Sequence, residues 1–224
     1  MLQCNHSMYD NKYKIIYEDN WLIIVDKSPG VLIIPTPKGE KNTLTDELNA
    51  ELDRRGIKAN AYPCHRLDRE TSGLVIYAKG KKVRGLMMEE FAKREVRKRY
   101  TAFVHGTVRR DSDIIKKGIF NRNKKRLESA VTKYRVLERR GSFSRLEIEP
   151  VTGRTNQIRI HMKDIGHPLV GESVYAFRKD FKLKFRRVAL HAGEVEFTHQ
   201  VTRQGMHFSS PFPSDMESFL KKEK

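Results

Sequence analysis

Apolar residues along this chain recur with two different periods. Short β-branched runs at 13–17, 21–25 and 31–34 are punctuated by Asp19-Asn20 and Pro29-Gly30, so the chain is expected to open as strands and turns. Over 43–56 the spacing changes. Leu44, Leu48 and Leu52 share one stripe, Thr43 can cap, Asp46 sits where a capping partner would, and Gly56 can end the helix. Residues 73–78 read as a buried strand, 83–96 as a basic helix with Val83, Leu86, Met87 and Phe91 inward, and 100–104 as the next strand. Residues 131–137 and 144–149 alternate as antiparallel strands do, and 155–165 reads as a short helix closing at Gly166. Strands at 188–191 and 194–197 follow, and a last helix, 214–222, starts with a Ser-x-x-Glu capping pattern at Ser214 and Glu217.

Strands outnumber helices and do not alternate strictly with them, which excludes a doubly wound parallel sheet. The expected class is α+β, a mostly antiparallel mixed sheet with flanking helices and two halves around a central cleft. Neither a Gly/Ser/Pro linker nor an internal repeat interrupts the chain.

Composition narrows the setting. A chain of 224 residues, 38% hydrophobic and 33% charged, can bury a sizeable core without disulfides or structural metals, and it is not a disordered tail. No apolar run approaches a membrane span, and the N-terminal stretch lacks the apolar centre of a signal peptide, so a cytoplasmic protein is expected. Cys4 and Cys64 fit no paired metal spacing and no disulfide framework. The formal charge of +17 makes polyanions the default partners. That excess is concentrated: residues 81–140 hold 20 basic and 7 acidic side chains, interleaved with Phe91, Tyr100, Phe120 and Tyr134. Such a stretch suits phosphate tracking; a solubilising charged face is the alternative.

No Gly-rich phosphate loop, no G-x-S-x-G elbow and no His-Glu-x-x-His is present. Two stretches remain unusual. In 65–73, HRLDRETSG, five of nine side chains are ionisable, immediately before the apolar strand. An ordinary turn in which Asp68 or Ser72 bonds nearby N–H groups would also explain it. In 150–161 a turn runs into a helix on which Asn156 and Arg159 share one face and Ile158, Met162 and Ile165 another. With Arg154 just outside, an anionic group would be welcome at that N-terminus; an amphipathic helix with solvated arginines is the alternative.

The loop His65-Arg66-Leu67-Asp68 followed by Thr71-Ser72-Gly73 resembles the signature of the RluA-type pseudouridine synthases. Three further segments recur in that family's order: 98–106 (KRYTAFVHG), 152–161 with 166–171 (GHPLVG) after it, and Leu190-His191-Ala192. The resemblance spans about residues 13–212. It implies an RNA-modifying isomerase that detaches uracil from C1′ of a uridine, turns it over and rejoins it through C5. The implied substrate is ribosomal or transfer RNA, with no metal or organic cofactor. Asp68 matches the family's catalytic aspartate, as nucleophile at C1′ or as a base toward the sugar. Arg159 matches the arginine expected to pair with it and keep it ionised. Tyr100 matches the tyrosine that stacks on the target base near the C5 proton, and Leu190 an apolar residue beside that base. The uridine must leave its stack, and Arg66 would fill the gap. His65, Thr71, Arg154, Asn156 and Gln157 complete the expected substrate-binding set, and Lys98, Arg99, Lys124, Lys125 and Arg126 the expected grip on the RNA backbone.

The resemblance places a catalytic domain at 13–224 behind a 1–12 extension, too short for the S4-like domain of many relatives. A monomer with no obligate protein partner and no membrane association is expected. Three positions depart from the family pattern: KSPG at 27–30, Asn156 where His is usual, and Glu172 where Asp is usual. The competing reading is an RNA-binding or folding factor on the same scaffold. The intact set Asp68, Tyr100 and Arg159 argues against it, since mere binding requires no carboxylate among arginines and a carboxylate facing RNA would weaken it.

Overall fold

The computed structural model describes residues 12–36, 39–176 and 183–223, so Cys4 and nearly all of the 1–12 extension lie outside it. The chain divides into two compact units, Met1–Met88 and Glu89–Lys224.

In the first unit strands β1 (Tyr13–Glu18), β2 (Leu22–Lys27), β3 (Ala61–Pro63) and β4 (Ser72–Lys79) accompany helix α1 (Leu44–Arg54). β2 lies between β1 and β4, β3 joins β4, and every one of these ladders is antiparallel. Asp19 makes the first turn, its Oδ1 accepting from the N–H groups of Trp21 and Leu22 at 2.7 Å each. Helix α1 forms as the spacing predicts. Thr43 and Asp46 make a reciprocal capping box, and Leu44, Leu48 and Leu52 are buried. The Ile57 N–H returns to the Leu52 carbonyl past Gly56, whose φ is +70°. Residues 31–34, expected as a strand, are irregular. The carbonyls of Leu32 and Ile33 instead accept from the Leu44 and Thr45 N–H groups, so this segment satisfies the start of α1 rather than a sheet.

Helix α2 (Lys81–Lys93) leads into the second unit. There β5 (Arg97–His105), β6 (Ser112–Lys116), β9 (Val131–Arg140), β10 (Phe143–Pro150), β11 (Leu190–Thr198) and β12 (Gly205–Ser209) pair antiparallel in the order β12-β11-β5-β10-β9-β6. β7 (Ile119–Asn121) and β8 (Arg126–Glu128) form a separate hairpin. Helix α3 (Gln157–Asp164) packs on β9 and β10. Helix α4 (Ser214–Lys222) sets Met216 and Phe219 into a core with Phe103, Phe143, Val170 and Ala189. Phe219 stacks on Phe103 at 5.4 Å and meets Phe143 edge-on at 5.2 Å. The fold is therefore α+β, as the pattern predicts.

Two expectations are corrected. The two strands expected at 188–191 and 194–197 are replaced by one, β11 (Leu190–Thr198), which runs through Gly193 with a register irregularity between Ala192 and Glu194. Ser214 does not cap α4: the cap position is Pro213 and no side chain bonds there. Asp215 instead holds the Arg187 guanidinium with both oxygens, at 2.7 and 3.0 Å.

Gly171 has φ +83°, and a Cβ there would overlap the Arg187 carbonyl. Gly85, exposed in α2, has open space around it. Gly171→Ala is expected to cost about 3 kcal/mol or more, and Gly85→Ala to raise stability by about 0.5–1 kcal/mol, in urea denaturation. Equal effects would contradict this packing.

Candidate active site

In the first unit the motif loop runs from β3 to β4. The Thr71 N–H donates to the Asp68 carbonyl at 3.0 Å, a main-chain bond that closes the turn. His65 Nε2 accepts from the Ile76 N–H at 3.1 Å, docking the imidazole against β4. Arg66 is exposed and makes no ion pair among the described residues. Thr71 is buried, its hydroxyl without a hydrogen-bond partner among the described residues. Cys64 is buried beside this loop, and desolvation pushes its thiol up to about 12, which leaves it inert.

Behind the loop stands a residue the motif reading did not single out for the site. Lys27 is completely buried, and its Nζ donates to the carbonyls of Ser28, Val31 and Arg69 at 2.9, 3.0 and 3.1 Å. The Gly30 N–H donates to the same Arg69 carbonyl at 2.8 Å. The KSPG segment therefore braces the residue next to Asp68 from two directions. A Lys in an apolar strand beside Pro-Gly was the available signal.

In the second unit Tyr100, 6% exposed, and Lys98 share one face of β5, while Arg97 and Arg99 share the other. Burial lowers the Lys98 ammonium to about 8, and its Nζ sits 5.5 Å from the centre of the Phe91 ring. Arg99 is held by Glu194 at 2.6 Å and Glu196 at 2.9 Å, with His207 beside both carboxylates. Glu194, Glu196 and His207 have the mutual spacing of metal ligands, but the Arg99 guanidinium already meets both carboxylates. Leu190, 3% exposed, opens β11 opposite Ala102.

Helix α3 starts at Asn156, whose φ of 54° is left-handed, a conformation asparagine tolerates better than most residues. The Gln157 amide is used inside the protein: Oε1 accepts from the Thr152 hydroxyl and the Arg154 N–H, and Nε2 donates to the Val131 carbonyl and the Thr132 hydroxyl. His161 is fully buried between Thr132 and the Lys117 carbonyl, and desolvation lowers its pKa. Arg154 donates to the Ser129 carbonyl at 3.1 Å and stands 3.6 Å from Glu128.

Arg159 is fixed by Glu172. The pair is bidentate, Nε to Oε2 and Nη2 to Oε1 at 2.8 Å each, with the side chains 9% and 1% exposed. Asn156 Oδ1 accepts from Arg159 at 3.3 Å, the Asn156 amide donates to the Tyr175 hydroxyl at 2.8 Å, and the Tyr175 ring lies 5.3 Å from the guanidinium. Glu172 Oε1 also accepts from the N–H groups of Ser173, Val174 and Tyr175. Burial raises the Glu172 carboxyl, but Arg159 and these N–H groups together hold it below its ordinary value. Two of the three departures from the family pattern, Asn156 and Glu172, thus bind the same arginine.

At β7–β8, Lys124 Nζ bonds Glu128 at 3.0 Å and Arg126 lies 3.6 Å from it. Hydrogen bonds from Asn121 and then Lys124 bring the Glu128 carboxyl down to about 2. Lys125 makes no ion pair among the described residues.

This arrangement belongs to a class of RNA-modifying isomerases. The family model for RNA pseudouridylate synthase matches residues 21–164. The chain is 37% identical over 219 residues to the uncharacterized RNA pseudouridine synthase YlyB of Bacillus subtilis, covering 92% of this chain and 71% of that protein. It is 34% identical to the dual-specificity RNA pseudouridine synthase RluA of Haemophilus influenzae, covering 88% and 91%. It is 32% identical to the ribosomal large subunit pseudouridine synthase D of Zymomonas mobilis, covering 95% and 73%. Human RNA pseudouridylate synthase domain containing 4 shares the fold, with a TM-score of 0.79 at 21% identity over 93% of this chain and 92% of that one. The chain belongs to the RNA pseudouridine synthase family, of RluA type, whose members isomerise uridine to pseudouridine in RNA.

Glu172→Gln removes the negative charge from the buried pair with Arg159 and is expected to cost about 3–5 kcal/mol at neutral pH. Because the folded carboxyl titrates below its ordinary value, the pair's contribution is present above that value and lost as pH falls through the folded one. The stability gap between wild type and Glu172→Gln should therefore narrow in acid. A gap independent of pH would overturn this account of the pair.

Proposed function

We propose that this protein converts uridine to pseudouridine in ribosomal RNA, with transfer RNA as the other candidate substrate. The observation that carries the reading is Asp68 itself, present in the family's motif order on a turn whose brace is a buried lysine. The name of the Zymomonas relative supports the large ribosomal subunit as the place to look.

In this reading Asp68 acts at the sugar, as nucleophile at C1′ or as a base that removes a sugar proton. One carboxylate suffices because the leaving base stays bound and returns, whereas glycoside hydrolysis must also activate a water. Arg159, locked by Glu172 and Asn156, supplies a fixed positive charge that does not reorganise during reaction. Tyr100 stacks on the uracil with its hydroxyl toward the C5 proton, and Leu190 bounds the base. Arg66, exposed and uncommitted to an ion pair, fills the gap left by the flipped nucleotide. His65 and Gln157, whose polar atoms bond the protein's own backbone, act by shaping the segments that carry Asp68 and Arg159. Thr71, Arg154 and Asn156 complete the substrate-binding set. Lys98, Arg99, Lys124, Lys125 and Arg126 contribute positive potential toward the RNA backbone. The reaction has no net redox change and transfers no outside group, so the proposed enzyme needs no metal or organic cofactor. It acts as a cytoplasmic monomer within residues 13–224; no helix among the described residues is long and apolar enough to cross a membrane.

The test is tritium release from RNA labelled at uridine C5, taken from cells lacking the gene. Wild type should release tritium and Asp68→Asn should not, while RNA affinity of the variant holds or rises. Turnover by Asp68→Asn would sink the assignment, and tight binding without turnover by wild type would favour a folding factor.

Phosphate binding should also show in salt. Lys125 has φ 49°, so Asn, which tolerates that conformation, is the clean replacement. Lys125→Asn is expected to reduce the slope of log affinity against log salt by about 1. An unchanged slope would move the RNA track elsewhere.

A further inference from the structure

The β7–β8 hairpin carries a surface that neither the core nor the chemistry explains. Phe120 and Leu127 stand directly opposite each other across its two strands and are 59% and 68% exposed. A lone exposed apolar residue is unremarkable, but a cross-strand pair of large ones is a patch. The hairpin beneath it is tied. Asn121 Oδ1 accepts from the N–H groups of Asn123 and Lys124 at 3.1 Å each, and the Asn121 amide and the Lys124 ammonium both donate to Glu128 at 3.0 Å. Leu127 lies against Gly118, where a Cβ would come within 2.7 Å of its Cγ, so glycine leaves room for the leucine. Arg122, Lys124, Lys125 and Arg126 are all exposed in and beside the turn of this hairpin, and Glu128 is the hairpin's single carboxylate. That carboxylate is engaged by Lys124 and Arg126, while Arg122 and Lys125 make no ion pair among the described residues.

A pre-formed apolar face next to a cationic turn matches a nucleobase and its adjoining phosphates: the base stacks on the face, and the backbone charges meet the cations of the turn. A protein partner fits less well, because the cores of such interfaces are depleted of charge, whereas here a turn and strand end carrying four cations adjoin two apolar side chains. We propose that the Phe120–Leu127 face is a stacking platform for an unpaired nucleotide of the RNA, with Arg122 and Lys125 on the flanking phosphates. The inference rests on the RNA-substrate reading above, and it concerns binding rather than chemistry.

The test compares wild type, Phe120→Ala and Phe120→Trp for affinity to an unstructured RNA single strand and to a blunt RNA duplex of equal length, over a salt series. Phe120→Ala is expected to weaken single-strand binding roughly 5-fold or more at every salt concentration, with the slope unchanged. Duplex affinity and thermal stability should stay at the wild-type level, and Phe120→Trp should restore single-strand binding. Single-strand affinity of Phe120→Ala within about twofold of wild type would overturn the platform, because stacking is worth more than that. An equal loss on duplex would overturn it too, since a paired base offers no free face. Tritium release measured alongside separates the two readings. Normal turnover with unchanged Phe120→Ala affinity removes the platform and leaves the synthase. Absent wild-type turnover with the expected affinity loss removes the synthase and leaves the platform.

Discussion

A charge taken out of water must be met by partners of fixed geometry, and both motif-bearing segments of this protein are built around that requirement. In the first unit the Lys27 ammonium is fully enclosed, and three backbone carbonyls surround it, one of them on Arg69 beside Asp68. Those carbonyls belong to separate stretches of chain, so meeting one charge sets where two loops sit. In the second unit the Arg159–Glu172 pair does the same for α3 and the segment after Gly171. The carboxylate collects a guanidinium and three N–H groups, and any other placement of either segment strands a charge away from water.

This requirement links stability to function. The proposed reaction at the sugar calls for charged groups that do not relax as it proceeds, and groups over-determined by several partners meet that need. The same bonds make the segments intolerant of change. Gly171 shows the limit, since its backbone lies against Arg187 with no space for a side chain, and Arg187 is itself tied to Asp215 on α4.

The large positive charge is likewise not all of one kind. Arg99 lies between two glutamates, Lys124, Arg126 and Arg154 gather around Glu128, and burial lowers the pKa of Lys98. Arg66, Arg122 and Lys125 make no ion pair among the described residues. Net charge therefore speaks to attraction toward RNA, and the ion-pair pattern decides which side chains can grip it.

Local rules were enough wherever a signal is contained in a few neighbouring residues. Helix α1 with its Thr43–Asp46 box, the buried strand after Ser72, the paired strands β9 and β10 and the α+β class all follow from periodicity and capping, because those depend on spacing along the chain. The motif order likewise identified the family from sequence alone. Partner choice between distant segments was not legible. Residues 31–34 have strand composition, yet the Leu32 and Ile33 carbonyls serve α1; Ser214 has the form of a cap, yet Pro213 holds that place; two strands are expected around Gly193, yet one runs through it. Lys27 and Glu172 took on their roles only when the fold brought to them the Arg69 carbonyl and the Arg159 guanidinium from elsewhere in the chain. Burial and ion pairing are properties of neighbours in space, and a sequence states neighbours only along the chain.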